Sequence, residues 1–330
     1  MEPDQEASPK PLKFVVTGAS GFIGSHFVRR ALKSGHAVVA LIRHETSLDR
    51  IADILPQLKV IRWDPLSISG HDSLSETLAS LHPNVWMHFA WKGVGGDDRN
   101  ESDQITANLP HVIDSVRLAS EVGCRQWIGV GSQAEYGLVD QKITETCATA
   151  PTTLYGMAKL SACWAALGTA RATGLIGTWV RVFSTYGEGD RQDWLLPYLF
   201  RCFLANDVPR LTRCEQQWDF LHVTDAANAF LLLAENCVEG IFNLGSGKAV
   251  PLRTVVESIA RISKSSVKPL FGALEYRPDQ IMRLEADIEK LQKATGWVPT
   301  VSLSEGLTRL HESIMRSKQQ TGSTGIENYA

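Results

Sequence analysis

The stretch FVVTGASGFIG, running from Phe14 to Gly24, decides how the rest of the chain is read. Phe14, Val15 and Val16 form an apolar, partly β-branched run that predicts a buried strand. The run breaks at Thr17-Gly18, and beyond Ser20 the apolar spacing turns helical through Phe22, Ile23, Phe27 and Val28. Gly18, Gly21 and Gly24 fall in the spacing TGxxGxxG. A glycine in such a turn can take positive φ, and without a Cβ it lets the backbone approach a pyrophosphate. The last glycine lets helix and strand pack closely, and the helix N-terminus offers N–H groups to the anion. Gly18, Ser20, Gly21, Phe22, Ile23 and Gly24 therefore read as the dinucleotide-binding turn, set against a plain strand-to-helix connection.

Around this stretch the chain has 330 residues, room for one large domain or two closely packed ones. A hydrophobic share of 44% fits a globular protein with a real core. The net charge of -3 supplies no basic field, so no nucleic-acid partner is expected. No apolar run reaches the length of a membrane span, and the start, MEPDQEASPKPLK, does not read as a secretory signal. No membrane partner is expected either. Cys124, Cys147, Cys163, Cys202, Cys214 and Cys237 show neither CxxC nor Cys/His spacing. That scatter predicts a reduced, cytoplasmic protein with buried thiols and no metal site. Residues 1–12, with Pro3, Pro9 and Pro11 among charges, are expected to be a disordered leader.

Onward from the glycine turn, the helix should run to Ser34-Gly35, and HAVVALI (His36–Ile42) is a second strand ending at Arg43. In the NAD-type pattern an acidic residue about 20 positions past the glycines binds the ribose 2′-OH, whereas an arginine suits a 2′-phosphate. Arg43 stands at the strand tip with no carboxylate there, which favours NADP over NAD. A solvated charge at a strand end is the alternative. Leu58–Trp63 is a third strand, and Asp64, before Pro65, lies against the adenine or forms an Asx turn. Val85–Ala90 is a fourth strand, followed by a long helix over Asp103–Val122 interrupted early by Pro110. Gln126–Val130 is a fifth strand that delivers Ser132 to the carboxyl edge, where open α/β sheets bind ligands. Strands alternating with helices imply an α/β fold with a doubly wound parallel sheet.

The next helix holds Tyr155 and Lys159, four residues apart and so on one helical face. Beside a bound nicotinamide, a lysine ammonium would stabilise the tyrosine phenolate. Tyr155 could then exchange a proton with a hydroxyl or carbonyl while hydride moves at the same carbon, with Ser132 holding the oxygen. Chain order supports the trio: glycine turn, then Ser132, then YxxxK.

With these residues in place, the sequence resembles the extended short-chain dehydrogenase/reductase family, in its nucleotide-sugar epimerase/dehydratase/reductase branch. The resemblance covers roughly residues 13–315 and rests on TGASGFIG (Thr17–Gly24), GSQAEYG (Gly131–Gly137), YGMAK (Tyr155–Lys159) and RVFSTYGEGD (Arg181–Asp190). WDFLHVTD (Trp218–Asp225), NLGSG (Asn243–Gly247), YRPD (Tyr276–Asp279) and GWVP (Gly296–Pro299) extend it. It implies a Rossmann domain over 13–183 and a smaller C-terminal substrate-binding α/β domain over 184–315. Within the latter, 216–243 would return to the Rossmann core, and 316–330 would be a flexible tail. It implies a catalytic triad of Ser132, Tyr155 and Lys159, with Tyr155 and Lys159 also against the cofactor, where Lys159 would hold the nicotinamide ribose. Ala90 would lie near the cofactor's ribose-phosphate, Asn108 would touch the cofactor or anchor its helix, and Val182 would line the nicotinamide. Subunits would pair into a homodimer through the helices over Asp103–Val122 and Thr153–Ala172.

Departures from the family pattern narrow the activity. Sugar dehydratases carry an acidic pair after the serine or threonine; here Gln133 and Ala134 stand there, and neither can do that proton work. Ser184 replaces the usual asparagine before TYG, and Trp218 replaces an arginine before DF, so the substrate pocket is altered, or Trp218 packs in the core. Arg277 keeps the arginine expected to meet the diphosphate of a nucleotide diphosphate-sugar. Farther along, Asp193 suits the N-cap of a helix to Ala205, and Asp225 suits the cap of a helix through Leu233. Pro251–Ile262, Ala286–Thr295 and Leu303–Ile314 read as further helices, with a loose polar tail from Ser317. The leading expectation is an NADP-dependent reductase of the C4 ketone of a nucleotide-linked 4-keto-6-deoxyhexose. The alternative is an NAD-dependent 4-epimerase that retains its cofactor. A cofactor-sensing regulator on the same fold is a third reading, against which the intact Ser132, Tyr155 and Lys159 count.

Overall fold

The computed structural model describes residues 10–63, 71–277 and 280–322. Its described residues fall into two compact units. The first comprises those up to Gly131, with Thr153–Val180 and Ala227–Phe242; the second comprises Ser132–Thr152, Arg181–Ala226 and those from Asn243 on. Asp64, expected near the adenine, lies outside the described residues.

The first strands and helices are β1 (Lys13–Thr17), α1 (Phe22–Lys33), β2 (Ala37–Ile42), β3 (Lys59–Arg62), α2 (His71–Ala79) and β4 (Val85–His88). Next come α3 (Asp103–Thr106), α4 (Asn108–Glu121), β5 (Gln126–Ser132), α5 (Leu154–Thr173), β6 (Ile176–Val182) and β7 (Ser184–Tyr186). The chain continues through α6 (Leu195–Ala205), β8 (Gln217–His222), α7 (Val223–Glu235), β9 (Gly240–Leu244), β10 (Ala249–Pro251) and α8 (Leu252–Ile262). It closes with β11 (Arg283–Leu284), α9 (Glu289–Thr295) and α10 (Leu303–Gly322). Seven strands hydrogen-bond in the order β3-β2-β1-β4-β5-β6-β9, and the pairs from β3 to β5 are parallel. The expected doubly wound α/β sheet is therefore present, with its reversal of direction at β1.

Parallel strands covered on both faces need continuous apolar runs, which VVAL at 38–41 and VWM at 85–87 supply. Register aligns Val39, Val15, Trp86 and Trp127 across four neighbouring strands. On that face Trp127 stacks on Trp179 at 6.2 Å between ring centroids, and its indole N–H donates to Ser115 Oγ of α4. Helix α5 buries the small residues Ala158, Ala162, Ala166 and Ala170, which let its backbone approach the same core. Among the described residues no helix is long and apolar enough to cross a membrane.

In the second unit β8 pairs with β7 and β11 in parallel and with β10 antiparallel. Helices α6, α8 and α10 bury Leu199, Phe200, Phe203, Val255, Val256, Ile259, Leu307 and Leu310 together. Asp219 of β8, fully buried, accepts from the backbone N–H groups of Ser246, Gly247 and Ala286, so one carboxylate fixes both the NLGSG turn and the segment that leaves β11.

Several expectations are corrected. The leader stops short of Leu12, which is buried and donates its N–H to His36 Nδ1 while its carbonyl accepts from Ala37. The early interruption expected from Pro110 is present: the helix breaks at Ala107, between α3 and α4, where Pro110 has no N–H for the Thr106 carbonyl four residues earlier. Asp193 does not cap α6, whose N-cap is Trp194 with no side-chain hydrogen bond; the Asp193 carboxylate instead accepts from Nε and Nη2 of Arg191. Asp225 caps nothing local: it accepts from the Thr300 and Val301 N–H groups and from Thr300 Oγ1. Helix α10 continues past Ser317 to Gly322, since Met315 to Gln319 contains no Gly or Pro and Glu312–Arg316 pairs one turn apart.

Candidate active site

The glycine turn follows β1. Gly18 has φ +71°, and a Cβ there would lie 2.7 Å from the backbone nitrogen of Ala90, just beyond β4. A Cβ on Gly24 would come within 2.1 Å of the Gly18 carbonyl oxygen. Gly21 donates to that oxygen at 2.9 Å and serves as N-cap of α1 with no side-chain hydrogen bond, and no acidic residue enters the first turn. A tight backbone cradle at an uncapped helix N-terminus fits a dinucleotide pyrophosphate, with Ser20, Phe22 and Ile23 on the same turn. Gly24→Ala should weaken dinucleotide binding about ten- to hundredfold in a fluorescence titration, because overpacking here displaces backbone. An unchanged affinity would contradict this assignment.

Arg43 lies at the end of β2 with its side chain 54% exposed and Glu45 at 3.6 Å. Arg62 Nη1 donates to the carbonyls of Arg43 and His44, fixing the backbone on which Arg43 stands. His88, at the end of β4, is buried with Nδ1 3.0 Å from Thr17 Oγ1. Burial first, then the Lys159 charge, pushes its pKa down to about 3, so it is neutral at neutral pH. Asn108, opening α4, accepts from the Lys92 N–H at 2.7 Å and donates back to the Lys92 carbonyl, pinning the segment that follows Ala90.

Thr153 caps α5 by accepting from the Gly156 N–H, and Tyr155 and Lys159 follow on the first turns. Lys159 is buried, and its Nζ donates to the Val130 carbonyl of β5 at 2.8 Å. Ser132 ends β5 two residues beyond Val130. Ser132 Oγ accepts from the Ala134 N–H at 3.1 Å, which uses a lone pair and leaves the hydroxyl proton to donate.

Sequence reading missed Glu135. It accepts from the Ser132 N–H at 2.8 Å and from Arg181 Nε at 2.7 Å, and both side chains of this pair are buried. Burial alone would pull Arg181 down, but the Glu135 carboxylate beside it raises it, so the guanidinium stays charged. The Arg181 guanidinium also lies 4.5 Å from the Tyr136 ring centroid, and Tyr136 donates to Asn243 Oδ1 at 2.7 Å. Ser132-x-x-Glu135 is a capping-box spacing, a signal the sequence did contain. Because Glu135 is committed to Arg181 and the Ser132 backbone, no exposed carboxylate follows the serine within three residues.

The remaining expected residues lie in the second unit. Val182 is buried at the end of β6, and Ser184 opens β7 opposite Phe220. Gln133 Oε1 is buried and has no hydrogen-bond partner among the described residues. Trp218 is half-buried against the core beside Phe220 and donates its indole N–H to the Ile281 carbonyl. Arg277 is exposed.

Known proteins of the same build carry related activities. The chain is 25% identical over 323 residues to a dTDP-4-dehydro-6-deoxyglucose reductase of Escherichia coli, covering 91% of this chain and 96% of that protein. It is 26% identical over 312 residues to a UDP-glucose 4-epimerase of Corynebacterium glutamicum, covering 87% and 91%. Among solved structures it superposes on MoeE5 in complex with UDP-glucuronic acid and NAD with a TM-score of 0.76 and 28% identity, over 92% of this chain and 99% of that one. The model of the NAD dependent epimerase/dehydratase family matches residues 14–245, more than half of the chain. With its glycine cradle, parallel sheet and Tyr-Lys helix, this protein is an enzyme of the NAD dependent epimerase/dehydratase family, the extended short-chain dehydrogenase/reductase type that the motifs resemble.

Proposed function

We propose that the chain is an NADP-dependent reductase of a nucleotide diphosphate-linked 4-keto-6-deoxyhexose. The observation that carries this reading is the Tyr155–Lys159 pair on one face of α5, with Lys159 buried and anchored to the Val130 carbonyl. Gly18, Ser20, Gly21, Phe22, Ile23 and Gly24 would hold the cofactor pyrophosphate, Arg43 its 2′-phosphate, and Ala90, Asn108 and Val182 its remaining edges. The chemistry that the bound nicotinamide supplies is hydride transfer to the C4 carbonyl carbon. Tyr155 donates its phenolic proton to the carbonyl oxygen as that carbon is reduced. Lys159 holds positive charge beside the phenol and so favours release of the proton. Ser132, its oxygen oriented by the Ala134 N–H, donates to the same carbonyl oxygen and holds it in place.

Gln133 supports a role at the sugar, since its buried, unpaired Oε1 is an acceptor suited to a hydroxyl. Dehydration is disfavoured because Gln133 and Ala134 cannot serve as acid and base and Glu135 is bound to Arg181. Arg277, exposed in the second unit, is the candidate for the substrate diphosphate. Two subunits are proposed to pair through α4 and α5. Trp164, 60% exposed on α5, supports this, as does a groove of about 410 Å³ lined by Ile105, Leu109, Pro110 and Ile113.

A second reading, a 4-epimerase that retains NAD, draws support from the epimerase relatives and from Glu45 beside Arg43, which offsets the charge available to a 2′-phosphate. Mass spectrometry of nucleotides extracted from the purified protein separates the two. The reductase reading expects protein free of tightly held cofactor; stoichiometric NAD would favour the epimerase. Arg43→Ala should weaken NADPH binding about tenfold or more and leave NADH binding unchanged in parallel titrations. Equal weakening of both would remove Arg43 from the 2′-phosphate site.

A further inference from the structure

Trp91 follows directly on Ala90, in the segment that leaves β4. The Nζ of Lys159 lies 3.5 Å from the centroid of the Trp91 ring. The same ring stands edge-on to Tyr155, with centroids 6.1 Å apart and an interplanar angle of 84°. One indole therefore touches both members of the Tyr155–Lys159 pair. Its own place is fixed at the ring edge, where its N–H donates to Gln104 Oε1 at 2.9 Å. Gln104 is buried and donates in turn to the carbonyls of Gly93 and Asp98, while Asn108 clamps both backbone groups of Lys92.

We propose that Trp91 is a positioning residue for the catalytic pair, its π face holding the Lys159 ammonium in place beside Tyr155. The proposal rests on the reading of Tyr155 and Lys159 as the proton-transferring pair. Lysine carries its charge on a flexible four-carbon stem, and a buried ammonium has lost most of its water. The Val130 carbonyl fixes it on one side. A carboxylate on the other side would hold it too, but would cancel the positive field that the phenol needs. An indole face attracts the cation without adding a negative charge or accepting its proton. Trp91 thus restrains Lys159 and leaves its charge to act on Tyr155.

Two charged or titratable groups near the pair, Arg99 and His88, act differently from the indole. The Arg99 guanidinium carbon lies 5.8 Å from the Tyr155 ring centroid and adds further positive charge there. His88 on β4 and His111 on α4 bear electrostatically on this region, and burial followed by the Lys159 charge keeps His88 neutral at neutral pH. Neither His88 nor Arg99 is a negative partner for the ammonium.

The test is the titration of Tyr155 itself, read as the tyrosinate absorbance difference between a protein and the same protein carrying Tyr155→Phe. In the 330-residue chain, Trp91→Leu is expected to raise the Tyr155 midpoint by about one pH unit, a tenfold change in its ionisation constant, with Trp91→Phe restoring most of the difference. The pH limb of turnover should move the same way. Fluorinated tryptophans incorporated at position 91 keep the shape while weakening the π face, so the midpoint should climb with each added fluorine even if Trp91→Leu folds poorly. No trend across the fluorinated series would overturn the proposal, as would a Trp91→Phe protein as impaired as Trp91→Leu. Full turnover in Tyr155→Phe would instead sink the catalytic reading beneath it, which the titration distinguishes because it needs no substrate.

Discussion

Tyr155→Phe is expected to lower turnover about a thousandfold while cofactor affinity stays within about twofold of the parent. The phenolic oxygen is the only atom removed, and it is the proton donor in the proposed reaction. The ring's edge-on contact with Trp91 and the cap of α5 by Thr153 do not depend on that oxygen, so the helix and Lys159 should stay in place. Steady-state kinetics beside a cofactor titration check this. A loss of less than about tenfold would mean that the proton comes from elsewhere, since general acid catalysis ordinarily supplies at least about a hundredfold.

The largest expected effect on stability comes from Glu135→Leu. The change leaves the buried Arg181 guanidinium without its carboxylate and the Ser132 N–H without its acceptor. Breaking one side of a buried ion pair costs about 3–5 kcal/mol, far more than an exposed pair such as Arg29–Asp53 would. For a unit of this size that corresponds to a fall in melting temperature of about 6–20 °C in scanning calorimetry. Combining Glu135→Leu with Arg181→Met removes both charges and should recover most of the loss, because an apolar pair avoids the desolvation cost. A single variant melting within about 2 °C of the parent would show that the pair contributes little. Even where the double variant recovers stability, turnover should remain low, because Ser132 has lost the group that holds its backbone.

Features that depend on neighbouring residues were legible in the sequence. The turn from Gly18 to Gly24 could be read because its spacing requirement is local: one Cβ at Gly24 already meets the Gly18 carbonyl. Strands β1, β2, β4 and β5 were legible because burial on both faces demands mainly apolar runs, whereas β3, at the sheet edge, is half-exposed. Tyr155 and Lys159 share a face by helical period alone. What escaped were side chains whose partners lie far along the chain. Asp225 looks like a cap from its neighbours, yet its carboxylate serves Thr300, 75 residues on. Glu135 carries a visible capping-box spacing, but nothing in the sequence pairs it with Arg181, 46 residues away. Trp91 resembles any aromatic after a strand until α5 brings Lys159 against its ring. Trp218 was open to two readings, and its indole N–H, bonded to Ile281, favours packing.

The measurement that tests the central claim most directly supplies NADPH and a panel of nucleotide-linked 4-keto-6-deoxyhexoses to the purified protein. Nicotinamide absorbance and the mass of the sugar nucleotide are followed together. The proposed function predicts that one ketone is consumed mole for mole with NADPH, giving a product heavier by two hydrogens, and that Tyr155→Phe slows the exchange about a thousandfold. Interconversion of saturated sugar nucleotides with no net consumption of NADPH, in protein that already holds NAD, would contradict it.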